Sequence, residues 1–374
     1  MDVLRVLIFL GKLSIGGGQM VVSQLVKNID RTNLEVTVLC YEGQTNTKLE
    51  KDVSECCQVK YLNESGRITI KKMRRIFKEI TSIDPDIIHA HLGGMAYAVP
   101  WALLHNKPLL ITAHTRPDVA FPSLVLPMIK WGLRKNRVKI AAVSQENFLL
   151  MQQFFGIRDQ RIICINNGID IDRYYREQHD LFTFINVSRQ DENKNQAAII
   201  HAFNKVNSEN TKTKLILVGD GPTHLQLKKL VNDYHLEESV TLTGSVSEPE
   251  LYYSMSDVYI QSSHREALSM SILEALATGL PVISTDVGGI KDVVKENGFL
   301  IPDNNLDELI NAMMKMTTLS EEQLHTLCEK SKEMVKMYSA PVMAENYLQT
   351  YKDLVLTRRQ KHNLLRHDEK MNRR

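Results

Sequence analysis

No stretch of this 374-residue chain is apolar enough to span a bilayer. The longest apolar run, Met95 to Leu104, is broken by Pro100 and falls short of the ~18–20 residues a spanning helix needs. Cysteine is scarce: of the five, only Cys56 and Cys57 adjoin, and no spacing fits a zinc ligand pair or a redox CxxC, so a disulfide scaffold is excluded and reduced thiols in a cytoplasm are expected. No grouping of His, Cys and Asp has metal-site spacing, so no metal site is expected. Aromatic residues make up 6% of the chain, and 18 Gly with 11 Pro form no low-complexity tract, which excludes fibrous repeats and long disorder. Recognition-helix motifs and stacking-aromatic platforms are also absent, so nucleic acid is not an expected partner. The opening MDVLRVLIFLGKL carries Arg5 within its apolar run and leads into three glycines, and reads as a first buried strand rather than a leader.

What is present is a repeated α/β grammar. Short apolar, β-rich runs alternate with helical-period segments, as in parallel sheets covered by helices on both faces. The first set is VLRVLIFL (3–10), EVTVLCY (35–41), QVKYL (58–62), DIIHAH (86–91), LLITAH (109–114), KIAAVS (139–144) and RIICIN (161–166). A second set restarts with FTFINV (182–187), TKLILVG (213–219), SVTLTG (239–244), DVYIQS (257–262), PVIST (281–285) and GFLI (298–301). The expected organisation is a first doubly wound domain over 1–171, a polar linker at 172–181, a second doubly wound domain over 182–340, a last helix at 341–357 and a basic tail at 358–374. Two such sheets in series predict a ligand cleft between the domains, at the carboxyl ends of the strands. The near-neutral net charge of +2 hides a basic first half, an acidic middle and a basic tail, which suggests an anionic partner or surface at one end.

Four places carry candidate chemistry. The loop from Lys12 to Gln19 holds Gly16, Gly17 and Gly18 between the first strand and a helix; it reads either as an anion-binding turn or as a tight turn with no ligand, and its spacing does not match a dinucleotide GxGxxG. Arg189 and Lys194 follow the strand FTFINV, where two cations suit a diphosphate, the Arg bidentately and the Lys as a point charge. Glu266 and Glu274 bracket a loop and a helix expected from about Leu268 to Ala277. If most of that interval is helical they lie ~12 Å apart, with the free amides of Leu268, Ser269 and Met270 between them. Carboxylate, amides and carboxylate in that order suit a nucleotide sugar, and the apolar neighbours of Glu274 make an unpartnered carboxylate there costly. His114 ends the strand LLITAH, while His89 and His91 alternate on one face of DIIHAH, where a pocket-lining role and a packing role both stand.

These residues resemble the retaining family-4 glycosyltransferases of the GT-B fold. The hallmark is Glu-x7-Glu, here Glu266 and Glu274, followed by an A-x-G-x-P-V-I stretch, here Ala277 to Ile283. The glycine-rich loop Gly16, Gly17, Gly18 and Gln19 looks like the family's GGxE loop, Arg189 and Lys194 its R-x4-K pair, Asn167 to Asp170 its NGxD segment, and Val218 to Pro222, including Gly219, its VGxGP turn. Gln19 in place of Glu, and Ala267 where Gly commonly follows the first Glu, are departures that bear on sugar specificity.

The resemblance implies two Rossmann-like domains facing across a cleft, with the last helix crossing back to the first domain. It further implies a metal-independent hexosyltransferase that retains anomeric configuration, with Glu266 at the donor sugar, Glu274 at the ribose, Arg189 and Lys194 on the diphosphate and His114 beside the transferred sugar. No cofactor is implied beyond the nucleoside-diphosphate sugar, a UDP-sugar among the candidates. Basic segments with interleaved apolar residues at 71–78 and 130–137, with the tail, point to a cytoplasmic enzyme peripheral to the inner membrane face, acting on a lipid-linked saccharide in capsule, exopolysaccharide or cell-surface glycan synthesis. A sugar-nucleotide epimerase, a non-catalytic partner subunit and a peptide-modifying transferase are the rival readings.

Overall fold

A computed structural model describes residues 3–177 and 179–371, with side chains to residue 356. Each predicted strand forms within a residue or two of its expected bounds: β1 (Leu4–Leu10), β2 (Leu34–Cys40), β3 (Gln58–Tyr61), β4 (Ile87–His91), β5 (Leu109–Ala113), β6 (Val138–Ala142), β7 (Ile162–Cys164), β8 (Phe182–Val187), β9 (Thr213–Val218), β10 (Val240–Gly244), β11 (Val258–Gln261), β12 (Val282–Thr285) and β13 (Gly298–Ile301). They pair in parallel throughout, in the orders β3-β2-β1-β4-β5-β6-β7 and β10-β9-β8-β11-β12-β13. The central strands read as continuous apolar runs because helices cover both faces; Leu7, Phe9, Ile88, Leu109 and Ile111 in the first sheet and Phe184, Leu215, Ile260 and Ile283 in the second are wholly enclosed.

The chain divides into two compact units, one running to Gly168 and resuming at Ala340, the other being Ile169–Ser339. Strand order reverses between β1 and β4 in the first and between β8 and β11 in the second. In open parallel sheets ligands bind outside the carboxyl ends of the strands at such a switch point. Those ends carry the glycine loop and the histidines in the first unit, and Arg189, Lys194 and Glu266 in the second.

The helices that position these residues are α1 (Gly17–Asn28), α2 (Ile70–Ile83), α3 (Leu126–Arg134), α4 (Gln196–Glu209), α5 (Met270–Thr278) and α6 (Ala340–Met371). α6 belongs to the first unit: it packs on α1, and Tyr347 and Tyr351, one turn apart, reach the buried face of β4 and β5. The segment expected as a linker, 172–181, is held to the second unit by ion pairs of Arg173 with Glu250 and Arg176 with Asp257. The basic segment 71–78 is not uniformly solvated either. Lys72 is buried, 4.9 Å above the Tyr41 ring centre and 5.5 Å above that of Tyr97, so this cation is used internally. The basic tail 358–374 lies outside the residues whose side chains are described.

Candidate active site

In the second unit, β8 ends in a loop that leads into α4. Arg189 projects into solvent, with 70% of its side chain exposed and Asp191 3.8 Å away. Lys194 turns inward and forms an ion pair with Glu266, which sits on the loop after β11. The carboxylate is oriented further by Gln261, whose amide donates to Glu266 Oε1 at 3.3 Å while its carbonyl accepts from Ser269 at 3.0 Å and from Tyr259 at 3.1 Å. One charge pair thus joins the two strand ends at the switch point, while the Gln261 amide holds Glu266 from its own strand.

α5 begins at Met270, two residues later than expected. Ser269 is the N-cap residue, with extended backbone (ψ 122°), and its hydroxyl is committed to Gln261 rather than capping its own helix. Leu268 therefore lies before the helix, and the amides without intrahelical acceptors are those of Met270, Ser271 and Ile272, the first three helical residues. An uncapped first turn attracts anions.

One turn further, Glu274 is 7% exposed and accepts a hydrogen bond from the Tyr253 hydroxyl at 2.9 Å. Burial raises its pKa; hydrogen bonds from Tyr253 and Tyr174 and the charge of Arg173 act against that rise. The cost foreseen for a carboxylate among apolar neighbours is thus met by two tyrosines remote in sequence. Their positions followed no local pattern.

Two glycines allow these loops to approach. Gly219, at φ 129°, lies so close to Ser188 that a Cβ would overlap the Ser188 carbonyl oxygen; its observed neighbour is the backbone of the β8 loop. Gly288, at φ 61°, meets the Glu266 carbonyl in the same way, and Gly289 N–H donates to Ala267 O at 2.8 Å. The run Asp286 to Gly289 after β12 was the overlooked signal for this support: paired glycines at a strand end mark close backbone approach.

In the first unit, Gly17 opens α1 and Gly18 packs beside Leu92 and His114; a Cβ on Gly18 would stand 3.0 Å from Leu92 and 3.4 Å from His114 Cγ. Gln19 folds back on its own loop, donating to Ser14 at 3.3 Å. Leu92, just past β4, holds φ 50°, an uncommon backbone state for a branched residue. His114 keeps part of its surface open and bonds through Nε2 to His91 Nδ1 at 2.9 Å, and desolvation lowers its pKa to about 4. His89 and His91 are fully enclosed. Among the described residues there is no group of three or more His, Cys, Asp or Glu that could hold a metal, and no helix is long and apolar enough to cross a membrane.

The sequence matches two family descriptions that together span residues 15–334: Glycosyltransferase Family 4 over residues 15–173 and Glycosyl transferases group 1 over 170–334. It is 27% identical over 241 residues to an uncharacterized glycosyltransferase of Methanocaldococcus jannaschii, covering 58% of this chain and 59% of that protein. It is 25% identical over 295 residues to the N-acetyl-alpha-D-glucosaminyl L-malate synthase of Bacillus anthracis, covering 72% and 75%. Its fold superposes on Anabaena HepE, crystallised with UDP and glucose, with a TM-score of 0.79 at 18% identity over 93% of this chain and 99% of that one. With both units matched and the two-sheet architecture shared, the chain belongs to the glycosyltransferases of the GT-B fold, family 4 in its first unit and group 1 in its second.

Proposed function

We propose that this glycosyltransferase is a metal-independent, retaining hexosyltransferase that moves a sugar from a nucleoside-diphosphate donor to a hydroxyl of a lipid-linked saccharide in cell-surface glycan synthesis. The observation that carries the donor half is the pairing of Lys194 with Glu266 beside the uncapped start of α5, with solvent-facing Arg189 on the neighbouring strand end. A diphosphate would draw on Arg189, Lys194 and the α5 amides. Glu266, released from part of its ion pair as Lys194 turns to phosphate, would accept from a donor-sugar hydroxyl. Glu274 would take the ribose hydroxyls and His114 a sugar hydroxyl.

Double displacement needs two carboxylates flanking the reacting carbon. The second unit offers one, Glu266, while Glu274 is enclosed with its tyrosines. Front-face displacement fits this arrangement: the leaving diphosphate is stabilised by the cations and amides, and its own phosphate oxygen receives the acceptor's proton.

For the acceptor, the support is surface chemistry. α3 carries exposed Trp131 in its last turn, with Arg137 stacked 5.3 Å from its ring centre and Lys130, Arg134 and Lys135 exposed alongside, an aromatic and basic combination suited to an anionic lipid interface. Incubation with UDP-, GDP- and ADP-sugars, with and without lipid-linked acceptor, tests the proposal. Transfer with a retained anomeric proton signature supports it. Conversion of donor alone would instead establish an epimerase, and an inverted product would remove the retaining assignment.

A further inference from the structure

Gln261 is the last residue of β11 and is wholly enclosed. A primary amide in such a place is costly unless both its nitrogen and its oxygen are met. Its Nε2 lies 3.3 Å from Glu266 Oε1. Its Oε1 lies 3.0 Å from the Ser269 hydroxyl and 3.1 Å from that of Tyr259, two residues back on the same face of the strand.

The Glu266 carboxylate, ion-paired with Lys194, has no hydrogen to give, so the group of Gln261 that faces it must be the NH2. That fixes the orientation of the whole amide. Its oxygen then faces the two hydroxyls, and each of them donates to it. Lys194 and Gln261 both donate to Glu266 Oε1, and among the described residues no donor meets Oε2, so Oε2 is the oxygen left for an external hydroxyl. Gln261 is also the neutral holder of the two. A diphosphate that draws Lys194 away leaves the amide in place.

The same side chain acts on α5. Serine is a favoured N-cap residue because its hydroxyl oxygen can accept from the amide of the second or third helical residue. Here those residues are Ser271 and Ile272, and Ser269 caps neither. Its hydroxyl is turned toward Gln261 instead, with the Ser271 hydroxyl 3.2 Å away.

We propose that Gln261 is a positioning residue for both halves of the donor: it sets which oxygen of Glu266 stays free for a sugar hydroxyl, and it withholds the Ser269 hydroxyl from α5 so that the first-turn amides stay open to the diphosphate. The inference rests on the reading of Glu266 and the α5 amides as donor-binding groups.

Gln261→Met tests it, since Met keeps the length of the side chain and removes both polar atoms. Calorimetric titration with UDP, GDP and ADP reports the diphosphate half alone, because these probes carry no sugar. For the nucleotide that the wild type binds, Gln261→Met should weaken affinity about fivefold, the scale of one N-cap. With the matching nucleotide sugar, kcat should fall about tenfold, the scale of one misdirected hydrogen bond. Adding Ser269→Ala removes the hydroxyl that has become a cap. In this double variant nucleotide affinity should return close to the wild-type value while kcat stays low, a separation that a merely structural defect would not produce. Gln261→Asn, which draws the amide back by one methylene, carries the same expectations should the Met variant fail to fold.

Wild-type nucleotide affinity in Gln261→Met, or a loss that Ser269→Ala does not repair, overturns the capping half. An unchanged kcat overturns the Glu266 half. A wild-type protein that binds none of the three nucleotides and transfers no sugar would instead overturn the donor reading itself, before any variant is compared.

Discussion

At the end of β4 the first unit encloses uncharged histidine rings in a chain of hydrogen bonds, whereas at the ends of β8 and β11 the second unit holds Lys194 against Glu266 and leaves Arg189 in solvent. Desolvation explains the difference. A buried imidazole can shed its proton and still donate and accept, so the first unit orients its groups without charge. At the strand ends of the second unit a lysine and a carboxylate face each other directly, each serving as the other's partner. The first arrangement suits a neutral hydroxyl and the second an anion.

The sharpest way to break this contrast is at Glu266. Glu266→Gln keeps the size and the Gln261 neighbour but removes the charge, and turnover should fall about a hundredfold, near 3 kcal/mol, with the donor's Michaelis constant little changed. Steady-state kinetics with the preferred donor measures it; equal losses in kcat and in donor binding would mean that the carboxylate is structural.

Next in size is Lys194→Ala, which leaves a largely enclosed Glu266 without its cation. Urea unfolding should show the second unit less stable by about 2 kcal/mol, and calorimetry should show weaker UDP or GDP binding. Solvent-facing Arg189 sharpens the point: Arg189→Ala should weaken the diphosphate by about 1.5 kcal/mol with stability unchanged. Unaltered affinity in both variants would sink the diphosphate assignment.

Acid should separate the units as well. A histidine ring lowered from 6.5 to about 4 by folding binds its proton more readily in the unfolded chain. Its contribution to stability is therefore complete above pH ~6.5 and is lost as pH falls toward 4. For His114 alone the loss at pH 5 is about 1–2 kcal/mol, and His89 and His91 act in the same direction. Glu274 works oppositely: its raised pKa means that the folded second unit takes up a proton before the unfolded one, which opposes acid unfolding. Both tryptophans, Trp101 and Trp131, belong to the first unit, so their fluorescence follows it selectively. Between pH 7 and 5 the fluorescence melt should move down further than second-unit protection measured by hydrogen exchange. Equal shifts would remove the contrast in how the units use charge.

The order of the strands along the chain, their parallel character, the placement of Arg189, Lys194, Glu266 and His114 just past strand ends and that of Glu274 on a helix were legible from sequence, because apolar periodicity and glycine punctuation are local properties that folding preserves. Tertiary structure alone decided what those residues meet. Tyr253 and Tyr174 against Glu274, Gly288 under Glu266, Lys72 over two tyrosine rings, and Tyr351 on His89 across 262 residues are contacts between elements that no window of sequence contains. The start of α5 shows the same limit at short range. Ser269 spends its hydroxyl on Gln261 from the neighbouring strand end, and that distant commitment, with the extended backbone at Ser269, sets which amides are left for a ligand. Local patterning settles where chain segments can lie; burial and polar partnership, which depend on packing, settle which of their groups remain available for chemistry.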